Sequence, residues 1–184
     1  ALSGGEILEA DSIVLCAGCG AVSLLRNLGI TLPLAAVKAY SLHISDHISA
    51  PRLRYAALLE DGVSCLVTPY HDTDPPSVRV TGIRDLDGMN DVVREKRVSS
   101  LMGSAHRFLG EFDEKNVAVW AGVMAVSPDD FPIVGRLERF DNLYVNVGHG
   151  FRGTNWSLAT AKLLSQHMVG VPDRCLPECA MAPC

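Results

Sequence analysis

An apolar run, Leu143-Tyr144-Val145-Asn146-Val147, leads directly into Gly148-His149-Gly150-Phe151-Arg152-Gly153-Thr154-Asn155, and an apolar-periodic stretch follows to about Gly170. That order predicts a strand, a glycine-rich turn and the first turn of a helix. Such a junction aims unpaired backbone N–H groups and the positive end of a helix at one point. A negatively charged or electron-rich ligand suits that point. A lone Gly-His-Gly also serves as a helix cap or tight bend with no ligand, so the neighbouring residues must decide.

A second strand-turn-helix unit is expected near the start. Residues 12–15 form a short apolar run ending in glycines, as a buried parallel strand would. Residues 20–28 follow as a helix with Val22, Leu24, Leu25 and Leu28 on one side, closed by Gly29. From Leu34 the pattern changes to alternation. Residues 37–44, 53–59, 63–68 and 78–83 read as strands, with Asp61-Gly62 as a hairpin turn and Asp74-Pro75-Pro76 as a loop. Three or four antiparallel strands result. Asn90 or Asp91 is placed to cap a helix reaching Leu109, and residues 117–124 return as a strand.

The 184 residues, 48% of them hydrophobic, are enough to bury a core in one domain or two joined ones. The net charge of -5 and the scattered basic residues disfavour nucleic acid as a partner. No apolar run approaches the ~18 residues of a membrane span, and nothing at Ala1 resembles a signal peptide. The expectation is an intracellular chain, with cytoplasmic, mitochondrial and membrane-peripheral locations left open. Cys16 and Cys19 form a Cys-x-x-Cys inside a strand-to-turn segment rather than at a redox-active helix start. Cys175, Cys179 and Cys184 lack a zinc spacing and a fourth ligand, so no metal is expected.

Three stretches, in order, resemble the C-terminal half of the glutathione-reductase-like flavoproteins of the D-amino-acid oxidase family, with the nearest likeness to FAD-dependent D-amino-acid dehydrogenases and to glycine and sarcosine oxidases. The first is residues 10–18, similar to the strand that returns to the FAD. The second is Val37-Lys38-Ala39-Tyr40-Ser41-Leu42, similar to the family's V-K-G-Y-S-L. The third and most specific runs from Trp120 to Gly170 and is similar to W-x-G-x-x-x-x-(S/T)-P-D-x-x-P-I-(V/I)-G … N-L-(Y/F)-x-N-x-G-H-G-x-x-G. The resemblance implies a mixed α/β fold: the C-terminal part of an FAD-binding domain plus an antiparallel-sheet substrate domain. It divides the chain into residues 1–33 and 126–170 of the FAD-binding domain, 34–125 of the substrate domain with one long helix, and a cysteine tail at 171–184. The family's Gly-x-Gly-x-x-Gly fingerprint is absent, so an N-terminal FAD-binding portion is the first partner implied. The fragment alone is expected to be inactive.

The resemblance also implies roles. FAD would be met by Ala17, Gly18, Gly135, Gly148, Gly150, Phe151, Arg152, Gly153, Thr154 and Asn155. Tyr40, Tyr70, Met124 and Arg152 would line the place of an amino-acid or amine substrate, with a quinone, an electron-transfer partner or oxygen as acceptor. Family members place a carboxylate-clamping arginine after Trp-x-Gly. Here that position is Met124, and a thioether cannot pair with a carboxylate. Arg152, Arg52, Arg54 and Lys38 are the candidate replacements. His149 reads as a packed strand-end residue rather than a catalyst, and His43, His47, His71 and Asp72 form no triad. The alternative reading is a non-catalytic module that keeps the fold as a binding scaffold.

Overall fold

The computed structural model describes residues 4–45, 53–61 and 63–170. They fall into two compact units, one made of the residues up to 35 and from 124 onward, the other of Ala36–Val123. Arg52, His47, the Gly62 turn and Cys175, Cys179 and Cys184 lie outside the described residues.

In the first unit, strands β1 (Ile13–Leu15), β7 (Ile133–Arg136) and β8 (Leu143–Val147) make a three-stranded sheet in the order β1-β8-β7. β1 and β8 run parallel, with Ile13 opposite Leu143 and Leu15 opposite Val145, while β7 is antiparallel to β8. Period-two alternation sends β8 side chains to opposite faces. Leu143, Val145 and Val147 pack with Ala21 and Leu25 of helix α1 (Gly20–Arg26). Tyr144 turns the other way, to Leu164 of helix α3 (Gly153–Met168). A strand covered on both faces must be apolar throughout, which is why 143–147 carries so little polarity. β1 differs from the expectation of a buried strand: Ile13 and Val14 are 55% and 39% exposed.

In the second unit, β2 (Ala35–Ile44), β3 (Ala57–Asp61), β4 (Val63–Tyr70), β5 (Ser77–Asp85) and β6 (Val117–Val126) form a sheet in the order β3-β4-β5-β2-β6. The β3-β4, β4-β5 and β5-β2 pairs are antiparallel. Tyr40, Leu42, Ile44, Val67, Val78 and Val80 share one face and bury against Leu101 and Ala105 of helix α2 (Glu95–Leu109).

One irregularity shapes this unit. Ala39 pairs with Arg84 but Tyr40 pairs with Gly82, so Ile83 is an extra residue in β5, and its φ is +58°. A β-branched residue there is strained. The bulge shifts side-chain parity, so Asp85 rather than Arg84 shares the face of Tyr40. Asp85 then accepts a hydrogen bond from the Tyr40 hydroxyl at 3.1 Å and an ion pair from Arg97 Nη2 at 2.5 Å. Lys38, fully buried, donates to Asp87 Oδ2 at 2.6 Å, Asn90 Oδ1 at 2.8 Å and the Val92 carbonyl at 2.9 Å. This explains why α2 starts at Glu95 and not behind Asn90 or Asp91. The Asn90 side chain is taken by Lys38 and by the Asp87 carbonyl, and no side chain caps the helix.

Leu101 is the largest of the helix residues fully buried against the sheet. Leu101→Ala is expected to lower the unfolding free energy by about 2–5 kcal/mol in a urea titration. An unchanged midpoint would mean that α2 does not close this core.

Candidate functional site

The parallel pairing of β1 with β8 brings the carboxyl ends of both strands to one edge of the first unit's sheet. Ala17 and Gly18 follow β1 there, and Gly148 to Asn155 follow β8. Ligands of parallel α/β sheets sit beyond this edge. Gly148 and Gly150 have φ of +80° and +52°, a region that favours glycine. A Cβ at Gly148 would stand 2.9 Å from Leu34 Cδ2, and one at Gly150 would stand 3.2 Å from Asp130 Oδ1. Both glycines are therefore required by the turn itself. Gly153 is different: its φ is −51°, ordinary helix, and its nearest Cβ neighbour would be at an unstrained 3.6 Å.

Residues 150–152 make one 3-10 turn, and α3 starts at Gly153 with no side chain capping its first amides and no acidic residue in its first turn. Thr154 and Asn155 are exposed there. The leading N–H groups of α3 thus lack a side-chain acceptor. Asn146 adds a buried Oδ1 with no hydrogen-bond partner, on the last turn of strand before Gly148. Asn146 is the first residue of the N-x-G-H-G motif. The uncapped amides at the start of α3 fit an electron-rich polar edge, such as an isoalloxazine carries.

Other expected residues sit close by. Arg152 pairs with Asp130 Oδ2 at 2.5 Å, and its guanidinium lies 5.3 Å from the Trp156 ring. Its charge is therefore matched by a neighbouring loop. Asp130 belongs to a tight loop in which Ser127 Oγ donates to the Phe131 carbonyl and Asp129 accepts from the Phe131 amide. That amide bond holds the Asp129 carboxyl below its usual pKa. Met124, half-buried, is near the end of β6, whose Val126 bridges to His149. Phe151 is 42% exposed. Gly135 lies within β7, opposite Val145, away from the turn.

His149 Nε2 is 2.9 Å from Thr160 Oγ1, and that hydroxyl donates onward to the Ser157 carbonyl. Burial pushes the His149 pKa below 6.5.

In the second unit, Tyr40 has no exposed surface and its hydroxyl is held by Asp85. Lys38 has all three of its donors engaged. Arg54 lies over the Tyr55 ring. Tyr70 is on the face away from α2, near His43, with ring centroids 6.5 Å apart. His71 and Asp72 are exposed. Cys16, Cys19 and Cys65 are free thiols, and burial raises the pKa of Cys19 and Cys65, opposite to a reactive thiolate. Among the described residues no cluster of three or more His, Cys, Asp or Glu is placed to hold a metal, and no helix is long and apolar enough to cross a membrane.

Folding lowers the pKa of His149, so the unfolded chain takes up the proton first. Stability from this group is full above pH 6.5 and is lost as pH falls below it. The fall in the urea midpoint between pH 7 and 5 should be smaller in His149→Gln, which keeps a donor to Thr160; an equal fall would mean the ring is not the titrating group. For the turn, Gly150→Val in the complete protein should cut retained FAD roughly tenfold or more, measured from the visible spectrum, whereas Gly153→Ala should not. Full FAD retention in Gly150→Val would displace the turn from the cofactor.

Comparison with known proteins identifies the family and the fold. The sequence model of the family described as FAD dependent oxidoreductase matches residues 2–167. The chain is 32% identical over 165 residues to a protein named D-amino acid dehydrogenase from Neisseria meningitidis serogroup C, covering 88% of this chain and 38% of that protein. It is 33% identical over 177 residues to one of the same name from Xanthobacter autotrophicus, covering 94% and 40%. Among solved structures, glycine oxidase from Geobacillus kaustophilus superposes with a TM-score of 0.78 at 19% identity, over 94% of this chain and 45% of that one. Iminodiacetate oxidase from Chelativorans gives 0.76 at 21%, over 97% and 48%. The chain spans about two fifths of the length of the curated relatives it matches. The mixed α/β fold with its antiparallel sheet is that of the glycine-oxidase-like flavoproteins, and the chain belongs to the FAD dependent oxidoreductase family of D-amino-acid oxidase type.

Proposed function

We propose that this chain is the C-terminal part of an FAD-dependent enzyme that oxidises the CH–NH bond of an amino acid, in the manner of a D-amino-acid dehydrogenase. The observation that carries the reading is the uncapped N-terminus of α3 behind two obligatory glycines, at the carboxyl edge of β1 and β8. The relatives named D-amino acid dehydrogenase support the choice of substrate class.

FAD, when bound, supplies the two-electron acceptor for the hydride on the substrate's α-carbon. The residues of this chain supply position and charge. The amides at the start of α3 and the backbone of Gly148 and Gly150 would hold the polar edge of the ring, and the helix end favours the negative charge that reduction places there. Ala17 and Gly18 would border the same edge. The Nε2 of His149 is engaged with the Thr160 hydroxyl, which ties the turn to α3 and gives the ring an orienting role. The remaining FAD contacts would come from an N-terminal portion of the protein, and the electrons would pass to a quinone, an electron-transfer partner or oxygen. Met124 favours the competing reading of a scaffold without catalysis, since it removes the expected cation.

The test is anaerobic. The complete protein is purified with its flavin and mixed with D-amino acids, L-amino acids and N-methyl amines while the visible flavin band is followed. Bleaching by D-amino acids is the expected result. A yellow protein that no amine bleaches would sink the substrate assignment, and a colourless protein would favour the scaffold.

A further inference from the structure

The surroundings of Arg79 differ from those of Lys38, Arg94 and Arg97, which are paired with carboxylates. It lies on β5 with its side chain on the face of the sheet away from α2, since Val78 and Val80 on either side point into the core. Its guanidinium carbon is 5.1 Å from the Tyr70 ring centroid and 5.7 Å from that of Trp120. His43 stands opposite it on β2. Its Nε is buried and has no hydrogen-bond partner, and among the described residues Arg79 forms no ion pair.

A buried guanidinium donor left unpaired is costly, and native proteins rarely leave one so. The nearby cations are in the opposite condition. Lys38 and Arg94 share Asp87, and Arg97 is held by Asp85. Those pairings fasten the loop after β5 and the start of α2. Arg79 is instead held by aromatic faces, which restrict the guanidinium plane and leave its Nε donor without an acceptor. A planar carboxylate matches such a fork: one oxygen accepts from Nε and the other from an Nη.

We infer that Arg79, framed by Tyr70 and Trp120, is a cation that binds the substrate's carboxylate. The inference rests on the amino-acid reading for the identity of the substrate but not for the chemistry of the site. An α-carboxylate brings the charge, and Tyr70 and Trp120 offer apolar faces to the rest of the molecule. Ser41 and Thr81, whose hydroxyl oxygens are 2.6 Å apart, add a polar strip on the same face. Tyr70 thus has a role that it reaches through the arginine.

The experiment uses the complete flavin-loaded protein and its Arg79→Met and Arg79→Lys variants. Benzoate, a carboxylate with no amine to oxidise, is titrated by calorimetry. D-alanine and D-alaninamide are compared in anaerobic flavin reduction. Arg79→Met should weaken benzoate by at least about tenfold and raise the half-saturating D-alanine on the order of 100-fold. D-alaninamide should change by less than about threefold, and Arg79→Lys should fall between, because it restores charge without the fork. Equal FAD content in all three proteins shows that folding is intact. Wild-type protein that ignores benzoate, or Arg79→Met that binds it unchanged, would overturn the assignment. If benzoate depends on Arg79 but D-amino acids leave the wild-type flavin oxidised, the carboxylate site stands and the amino-acid reading falls.

Discussion

The parallel pairing of β1 with β8 is the constraint on which the first unit depends. It joins segments from opposite ends of the described chain, so a large loop-closure entropy must be met before any contact there is rewarded. Burial on both faces of β8 supplies that reward, through α1 on one side and α3 on the other. The pairing also determines chemistry. Parallel strands end at the same edge, so Gly18 and the Gly148–Gly150 turn meet there although each belongs to a separate strand-turn-helix unit. An antiparallel partner would have placed them at opposite edges.

The second unit is organised by polar groups rather than by its apolar core alone. The extra residue at Ile83 changes parity along β5 and turns Asp85 inward. Tyr40 and Arg97 then meet on that carboxylate, while Lys38 fastens the loop that follows. Side-chain and backbone-strain energies oppose one another here. Holding a β-branched residue at positive φ costs on the order of 1–3 kcal/mol, and the ion pair and hydrogen bonds it permits offset that cost. The same shift separates two classes of cation. Those on the α2 side are neutralised inside the protein, whereas Arg79 on the other face keeps an open donor.

Much of this organisation was legible in the residues. The strand-turn-helix at 143–168 and the four strands between 35 and 85 follow from periodicity and glycine placement. The turn glycines were legible because positive φ has a strong residue preference. The start of α2 was not, because Asn90 has a capping side chain that tertiary partners claim instead. Arg152 and Lys38 looked available as cations, since a sequence does not display which acidic residue reaches them. Their partners, Asp130 and Asp87, are brought to them by turns and a loop.

The sequence by itself determined the class of the molecule: the glycine turn entering a helix, the family motif from Trp120 to Gly170, and the loss of the expected arginine at Met124. These are local signals, carried by backbone preference and by residue spacing. Tertiary structure alone decided that Arg79 holds a buried Nε without an acceptor. Arg79 and Lys38 are both basic residues on neighbouring strands of one sheet, and nothing in composition or spacing distinguishes them. The difference is the face each side chain occupies and what it meets there: carboxylate and carbonyl oxygens for Lys38, two aromatic rings for Arg79. Register, which depends on pairing between distant segments, sets that outcome.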